Sequence, residues 1–257
     1  MIWIRARGDQ AKDLERASQR FNVGGTKKHD QSTRCVLNKK ASLKEYAQKY
    51  RYFSIGDIAR DLGFEKKTLK VYLSAFKKEK IVYDAGRGWY SNIAEPFELS
   101  TESLQEIVAV LRKKYPLLKF SCWSMQQINR FTHHMLGKYV TFIYMDWDSM
   151  SVVYDFLKDA GYDVWLNPRG KEAERFSVRE QTIVLRPAIS GQPAKGFFAP
   201  IEKIMVDLYL EIETLNVMSE YEIVRSNILA DGRIDVASLL SYARRRRVPK
   251  AEVWGNK

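Results

Sequence analysis

The chain is 257 residues long and carries 43 Lys and Arg against 31 Asp and Glu, a formal net charge of +12. That length suits two domains of ordinary size, and 45% hydrophobic residues exclude a wholly disordered chain. No apolar run approaches the roughly 20 residues of a membrane helix, the basic start lacks the apolar core of a secretion signal, and two distant cysteines, Cys35 and Cys122, exclude a disulfide framework or a clustered metal site.

A soluble, cytoplasmic protein with no membrane partner is the resulting expectation. Its charge is uneven. Residues 1–40 hold ten Lys/Arg against four Asp/Glu, residues 41–92 eleven against six, and residues 93–257 twenty-two against twenty-one. Nearly all the excess therefore sits in the first third, which points to a polyanion-binding front end on a near-neutral partner. Nucleic acid leads among polyanions, ahead of an anionic membrane surface.

Residues 1–40 read as a basic N-terminal extension: a short charged helix over Asp9–Phe21, then a flexible linker from Gly24 to Arg34. Residues 41–93 read as one domain. Ser42 is placed to cap a first helix with Leu43, Tyr46 and Ala47 on its apolar side, and Ser54 precedes a second with Ile55, Ile58, Ala59 and Leu62 at helical spacing. Gly63 ends that helix, and Glu65–Lys80 forms a third with Leu69, Tyr72, Leu73 and Phe76 on one face and Lys66, Lys67, Lys70, Lys77 and Lys78 on the others. Ile81–Tyr83 and Trp89–Tyr90 then flank Asp84-Ala-Gly-Arg-Gly88, a hairpin signal.

This order is that of a winged helix-turn-helix. The third helix would enter a major groove, and the hairpin would bring Arg87 to a neighbouring phosphate. The expected DNA contacts are Lys66, Lys67, Thr68, Lys70, Lys77 and Arg87. Lysine reads phosphate as a point charge. The third helix has no Arg, Asn or Gln for bidentate base readout, so its part is mainly anchoring. A winged helix used only for protein contacts is the competing reading, and the lysine density argues against it.

Residues 94–257 read as a mixed α/β domain with a helical C-terminal end, so the fold class is α+β. Helices are expected at 100–115, 124–135, 149–160, 200–215, 218–230 and 235–247, and strands at 117–123, 139–145, 162–166 and 182–185. Asp146-Trp-Asp148 has the Asp-x-Asp form with which nucleotidyltransferases hold two metal ions. The preceding Ser121-Cys-Trp-Ser-Met lacks the glycine of that class, and Asp148 or Ser149 serves equally as a helix cap. His133 and His134 are adjacent on a predicted helix and diverge by about 100°, so they do not chelate together. Glu172 and Glu174 lie in a charged loop, and Gly191–Gly196 lacks the Lys-Ser/Thr of a phosphate loop. Arg244–Arg247 suit a helix C-terminus, and equally a second nucleic-acid contact. No catalytic, metal or cofactor residue emerges, so the chain is not expected to be an enzyme. The alternatives are a winged-helix-targeted nucleotidyltransferase or nuclease using Asp146 and Asp148, and a non-catalytic adaptor binding a protein.

Two further stretches carry a family resemblance. Ala199-Pro-Ile-Glu-Lys-Ile-Met-Val-Asp-Leu208 resembles the Pro-x-Glu-(Lys/Arg)-x-x-x-Asp helix of the AbiEi antitoxins of bacterial abortive-infection systems, and Ser238–Arg246 looks like that family's closing helix. The resemblance runs over residues 41–250. It implies a type IV antitoxin and transcriptional autorepressor that binds inverted repeats in its promoter. Such a protein counters a nucleotidyltransferase toxin, with no stable complex required. Glu202 near the start of the signature helix suits the helix dipole, and Asp207 is expected to accept a buried hydrogen bond.

Overall fold

The computed structural model describes residues 39–133, 137–180 and 182–255. The expected Asp9–Phe21 helix and Gly24–Arg34 linker, together with Cys35 and His134, lie outside the described residues. The protein is an α+β chain in two compact units that divide between Ile81 and Val82, earlier than the Ile93 boundary expected from the sequence.

The first unit is built on helix α1 (residues 39–49), a short β1 (Tyr52–Ser54), α2 (Ile55–Leu62) and α3 (Lys66–Lys78). Ser42 lies inside α1 rather than capping it, because Lys39, Lys40 and Ala41, good helix formers, are already helical ahead of it. Ser54 does cap α2: its hydroxyl accepts from the Asp57 amide at 3.0 Å while Asp57 accepts from the Ser54 amide at 3.0 Å, a reciprocal capping box. Gly63 follows at φ 66°, a left-handed conformation that costs a side-chain-bearing residue energy and lets the chain reverse direction before α3. Leu43, Ala47, Phe53, Ile58, Leu69, Leu73 and Phe76 are fully buried. Tyr46 sets one partly polar contact among them, donating to Asp61 at 2.7 Å. That bond, with Arg60 beside it, lowers the Asp61 carboxyl below the usual range.

The second unit opens with a hairpin, β2 (Tyr83–Asp84) and β3 (Trp89–Ser91), paired antiparallel with Tyr83 opposite Ser91 and Asp84 opposite Tyr90. After a 3₁₀ turn, α4 (Gln105–Lys114) ends ahead of Pro116. The sheet follows: β4 (Phe120–Ser124), β5 (Val140–Met145), β6 (Asp163–Leu166) and β7 (Thr182–Pro187), in the order β4-β5-β7-β6, with β4 antiparallel to β5 and the other pairs parallel. Helices α5 (Met125–Ile128), α6 (Trp147–Asp159) and α7 (Lys171–Glu174) connect the strands. The chain closes with α8 (Ile201–Leu210), α9 (Ile212–Leu215), α10 (Met218–Asp231), α11 (Val236–Arg245) and α12 (Lys250–Trp254).

Strand alternation divides the sheet's side chains between two buried faces. Phe120, Cys122, Ile143, Met145, Ile183 and Leu185 form one core with Val108 and Leu111 of α4 and Met150, Val153 and Leu157 of α6. Trp123, Phe142, Tyr144, Val184 and Arg186 belong to the opposite alternation, where α8 lies. Burial of both faces is why β5 reads as a near-continuous apolar run. Residues 195–199 run beside β4, with the Cys122 amide donating to Phe197 O and the Ala199 amide to Cys122 O, both at 2.9 Å, and this leads the chain into α8.

Several predicted elements end early. The helix expected over 124–135 stops at Ile128, because the Ser124–Gln127 capping box starts it and a 3₁₀ turn at Asn129–Phe131 takes its end; His133 lies outside it in a bend. The helix expected over 200–215 breaks at Glu211, whose buried side chain is held by Arg186.

The hairpin is seated on the C-terminal helices. The Val236 amide donates to Ala85 O at 2.9 Å, the Arg233 guanidinium lies 5.0 Å from the Tyr83 ring centre, and Trp89 meets Trp254 edge-on at 5.4 Å. Gly86, at φ 96°, is where this seating is closest: a Cβ there would stand 2.8 Å from Ala237 Cβ and 2.9 Å from its backbone nitrogen. Gly88, at φ 77°, faces open space. Gly86→Ala is therefore expected to destabilise the second unit by about 3 kcal/mol, combining positive-φ strain with overpacking, and Gly88→Ala by about 1 kcal/mol from strain alone. Urea unfolding of the two variants followed by tryptophan fluorescence measures the difference.

Candidate nucleic-acid interface

Helix α3 is sorted by its own periodicity. Leu69, Leu73 and Phe76 are buried, while Lys66, Lys67, Lys70, Lys77 and Lys78 are exposed. Thr68 is half-buried, not exposed as the sequence suggested, because it shares the inward side with Leu69. The helix start is electrostatically unusual. Its cap residue, Glu65, makes no side-chain capping bond, no acid occupies the first turn, and Lys66 and Lys67 stand there instead. Cations at a helix N-terminus oppose the dipole by about 0.3–1 kcal/mol each. Among the described residues, Lys66, Lys67 and Lys70 form no ion pair. Val71, 66% exposed, adds one apolar group to the same outward surface. On the hairpin tip of the second unit, Arg87 is exposed between Gly86 and Gly88.

Helix α8 uses its charges differently. Residues Ile201–Leu208 are all buried. Lys203 and Asp207, one turn apart, form an ion pair with both side chains inaccessible to solvent. Asp207 also accepts the Tyr242 hydroxyl at 2.8 Å, as expected of a buried acceptor, and Arg246 stands 3.9 Å from that same carboxylate oxygen. The Lys203 ammonium lies 3.2 Å from the centre of the Tyr144 ring. Burial lowers the Lys203 pKa despite its acid partner. Nearby, Arg186 donates to Glu211 at 2.8 Å, to Asn167 Oδ1 at 3.1 Å and to Pro168 O at 2.9 Å. Glu202 accepts from the Asp235 amide at 2.7 Å and so supports the residue that caps α11. Burial pushes the Glu202 carboxyl up, against that bond. The Cys122 thiol is likewise pushed up to about 12 by burial and is no nucleophile at neutral pH.

The remaining motifs fall apart in space. Asp146 and Asp148 are both exposed at the start of α6; Asp146 holds the cap position without a side-chain bond, and Asp148 sits in the first turn. Neither Asp148 nor Ser149 caps this helix, because it begins already at Trp147. Among the described residues no three His, Cys, Asp or Glu are grouped to hold a metal ion. Glu172 and Glu174 lie on the short α7, a helix with no buried residue. The Arg244–Arg247 run is split: Arg246 turns inward to Asp207, while Arg244, Arg245 and Arg247 are exposed. Sequence reasoning missed the Arg186–Glu211 pair, since 25 residues separate its members and neither lies in a motif.

Lys203→Met leaves Asp207 buried beside no ammonium and is expected to cost about 3–5 kcal/mol, whereas Lys203→Met combined with Asp207→Leu recovers most of it; denaturant titrations of the three proteins measure the cycle. Glu202→Gln tests the raised carboxyl. The folded wild type binds a proton that the unfolded chain has released, so its stability falls as pH rises through the carboxylate range. The Tm of Glu202→Gln relative to wild type should therefore rise between about pH 4 and about pH 7.

The chain belongs to DUF6577, a family of unknown function, which it matches over residues 68–253. The match starts inside α3, just after Lys66 and Lys67, and takes in Thr68, Lys70, Lys77, Arg87 and the whole of α8. No curated protein matches the chain.

Proposed function

We propose that this protein is a non-catalytic, duplex-DNA-binding regulator that anchors on phosphates through α3 of the first unit, and that Arg87, on the hairpin tip of the second, is a phosphate contact in its own right. One observation carries the reading: Lys66 and Lys67 occupy the first turn of α3 against the helix dipole, exposed and without an ion pair among the described residues. A phosphate at that helix start would meet free backbone amides, the positive end of the dipole and two ammonium groups together. The same surface offers little for base edges. Lys70 continues the phosphate track, and the exposed Val71 can touch a thymine methyl, so part of the sequence preference comes from apolar contact.

The finer role follows the AbiEi resemblance of the α8 and α11 stretches: an antitoxin that represses its own operon at promoter inverted repeats and counters a nucleotidyltransferase toxin. The division of charge supports such a pairing of roles. The first third of the chain carries the excess cations, and the rest is near neutral, with its central charges paired in the interior.

Replacing Lys66, Lys67 and Lys70 by Ala should weaken binding to a promoter duplex and reduce the steepness of log K against log salt by up to about 3, since each phosphate left without its cation takes away roughly 0.9. Fluorescence anisotropy across a salt series reads both quantities. An unchanged slope and affinity in the triple variant would sink the DNA reading. Co-expression with a toxin encoded beside the gene tests the antitoxin role, and growth arrest in the presence of the intact protein would reject it.

A further inference from the structure

We infer that the second unit carries its own phosphate-binding groove, formed where the hairpin meets α11 and α12, and that it holds the backbone of duplex DNA. The inference rests on the DNA-binding reading above. The groove encloses about 520 Å³ and is lined by Trp89, Ala237, Leu240, Arg244, Val248 and Lys250. Its floor is apolar, and two cations stand at its rim. Arg244 and Lys250 are exposed, and neither forms an ion pair among the described residues. The Lys250 ammonium lies 5.6 Å from the Trp89 ring centre, so it is held over the indole rather than against an acid.

A solvated helix end does not account for the arrangement. Arg246, the member of the arginine run with a structural task, turns inward to Asp207 and is largely buried. Arg247 occupies the left-handed position that closes α11, at φ 59°, with the Val248 amide returning to Ala243 O at 2.9 Å. Glycine is the inexpensive residue at that closing position. A cation stands there instead, exposed and adjacent in the chain to the groove-lining Val248. Arg87 lies two residues before Trp89 in the chain, on the hairpin tip. Two of the elements that line the groove thus bring a cation to it, α11 with Arg244 and α12 with Lys250. Sugar and phosphate in alternation fit such a surface: deoxyribose packs on Trp89 and Leu240, and phosphates meet Arg244 and Lys250. An acidic protein segment is the competing partner, but it brings no sugar faces to the apolar floor between its charges.

The test uses the full chain and a fluorescent duplex bearing the inverted repeat of its own promoter. Arg244→Ala with Lys250→Ala should weaken binding about tenfold or more near physiological salt and lower the salt slope by about 2, one for each cation withdrawn from a phosphate. Arg244→Lys with Lys250→Arg should retain the slope, and thermal melts of both variants should match wild type. An unchanged slope in the double alanine variant, with the slope reduced in the Lys66, Lys67 and Lys70 variant, overturns this groove and leaves the DNA reading intact. Failure of the wild type to bind any duplex at low salt overturns both. Polyglutamate that competes as well as DNA at equal charge concentration assigns the groove to an acidic protein and overturns the proposal.

Discussion

The second unit is organised around one buried charge pair. Lys203 and Asp207 have no access to water, so each needs the other, and neither can move without leaving an unpaired charge in the interior. The pair fixes α8 against three partners at once. The Tyr144 ring faces the ammonium from the sheet, the Tyr242 hydroxyl bonds the carboxylate from α11, and Arg246 approaches it from the end of the same helix. Glu202 extends the effect, since its bond to the Asp235 amide sets where α11 begins, and the next residue, Val236, holds the hairpin through Ala85. Sheet, closing helices and hairpin are therefore in register through a single helix.

Charges serve opposite ends on α3 and in the interior of the second unit. On α3 the lysines of the first turn stand in water, outside any ion pair among the described residues and against their own helix dipole, an arrangement that gains energy only when an anion arrives. In the second unit opposite charges are removed from water in pairs, Lys203 with Asp207 and Arg186 with Glu211, where they hold elements in place and offer nothing to a ligand. The hairpin combines these two habits: its Arg87 is exposed, and its backbone and Trp89 are bound to the C-terminal helices. A hairpin mounted this way shares the rigidity of the helices under it.

Much of the fold is legible in the sequence wherever it depends on neighbours in the chain. The Ser54 cap, the left-handed Gly63, the inward stripe of α3, the hairpin and the four strands of the sheet all follow from local spacing. Legibility ends where distant residues intervene. The 124–135 segment has helical spacing, but the helix gives way after one turn to a 3₁₀ turn whose Asn129 donates to the Tyr139 hydroxyl and whose Phe131 carbonyl accepts from Asn227, 96 residues away. The 200–215 helix breaks at Glu211 because Arg186, on a strand, holds that carboxylate. The short α12 leaves no local signal, since five residues carry too little periodicity to register.

The sequence alone determined the asymmetry of charge, the helical presentation of lysines on α3 and the chemistry available there, because net charge and helical period are properties of the chain itself. Only the tertiary structure decided which charges are free. Lys203 and Lys66 are the same residue type on helices of similar length, and composition does not separate them. Burial does: desolvation forces the first into a permanent pair, and exposure leaves the second able to meet a phosphate. The same holds within the run Arg244–Arg247, where the packing of α11 on α8 turns one arginine inward and leaves its neighbours exposed.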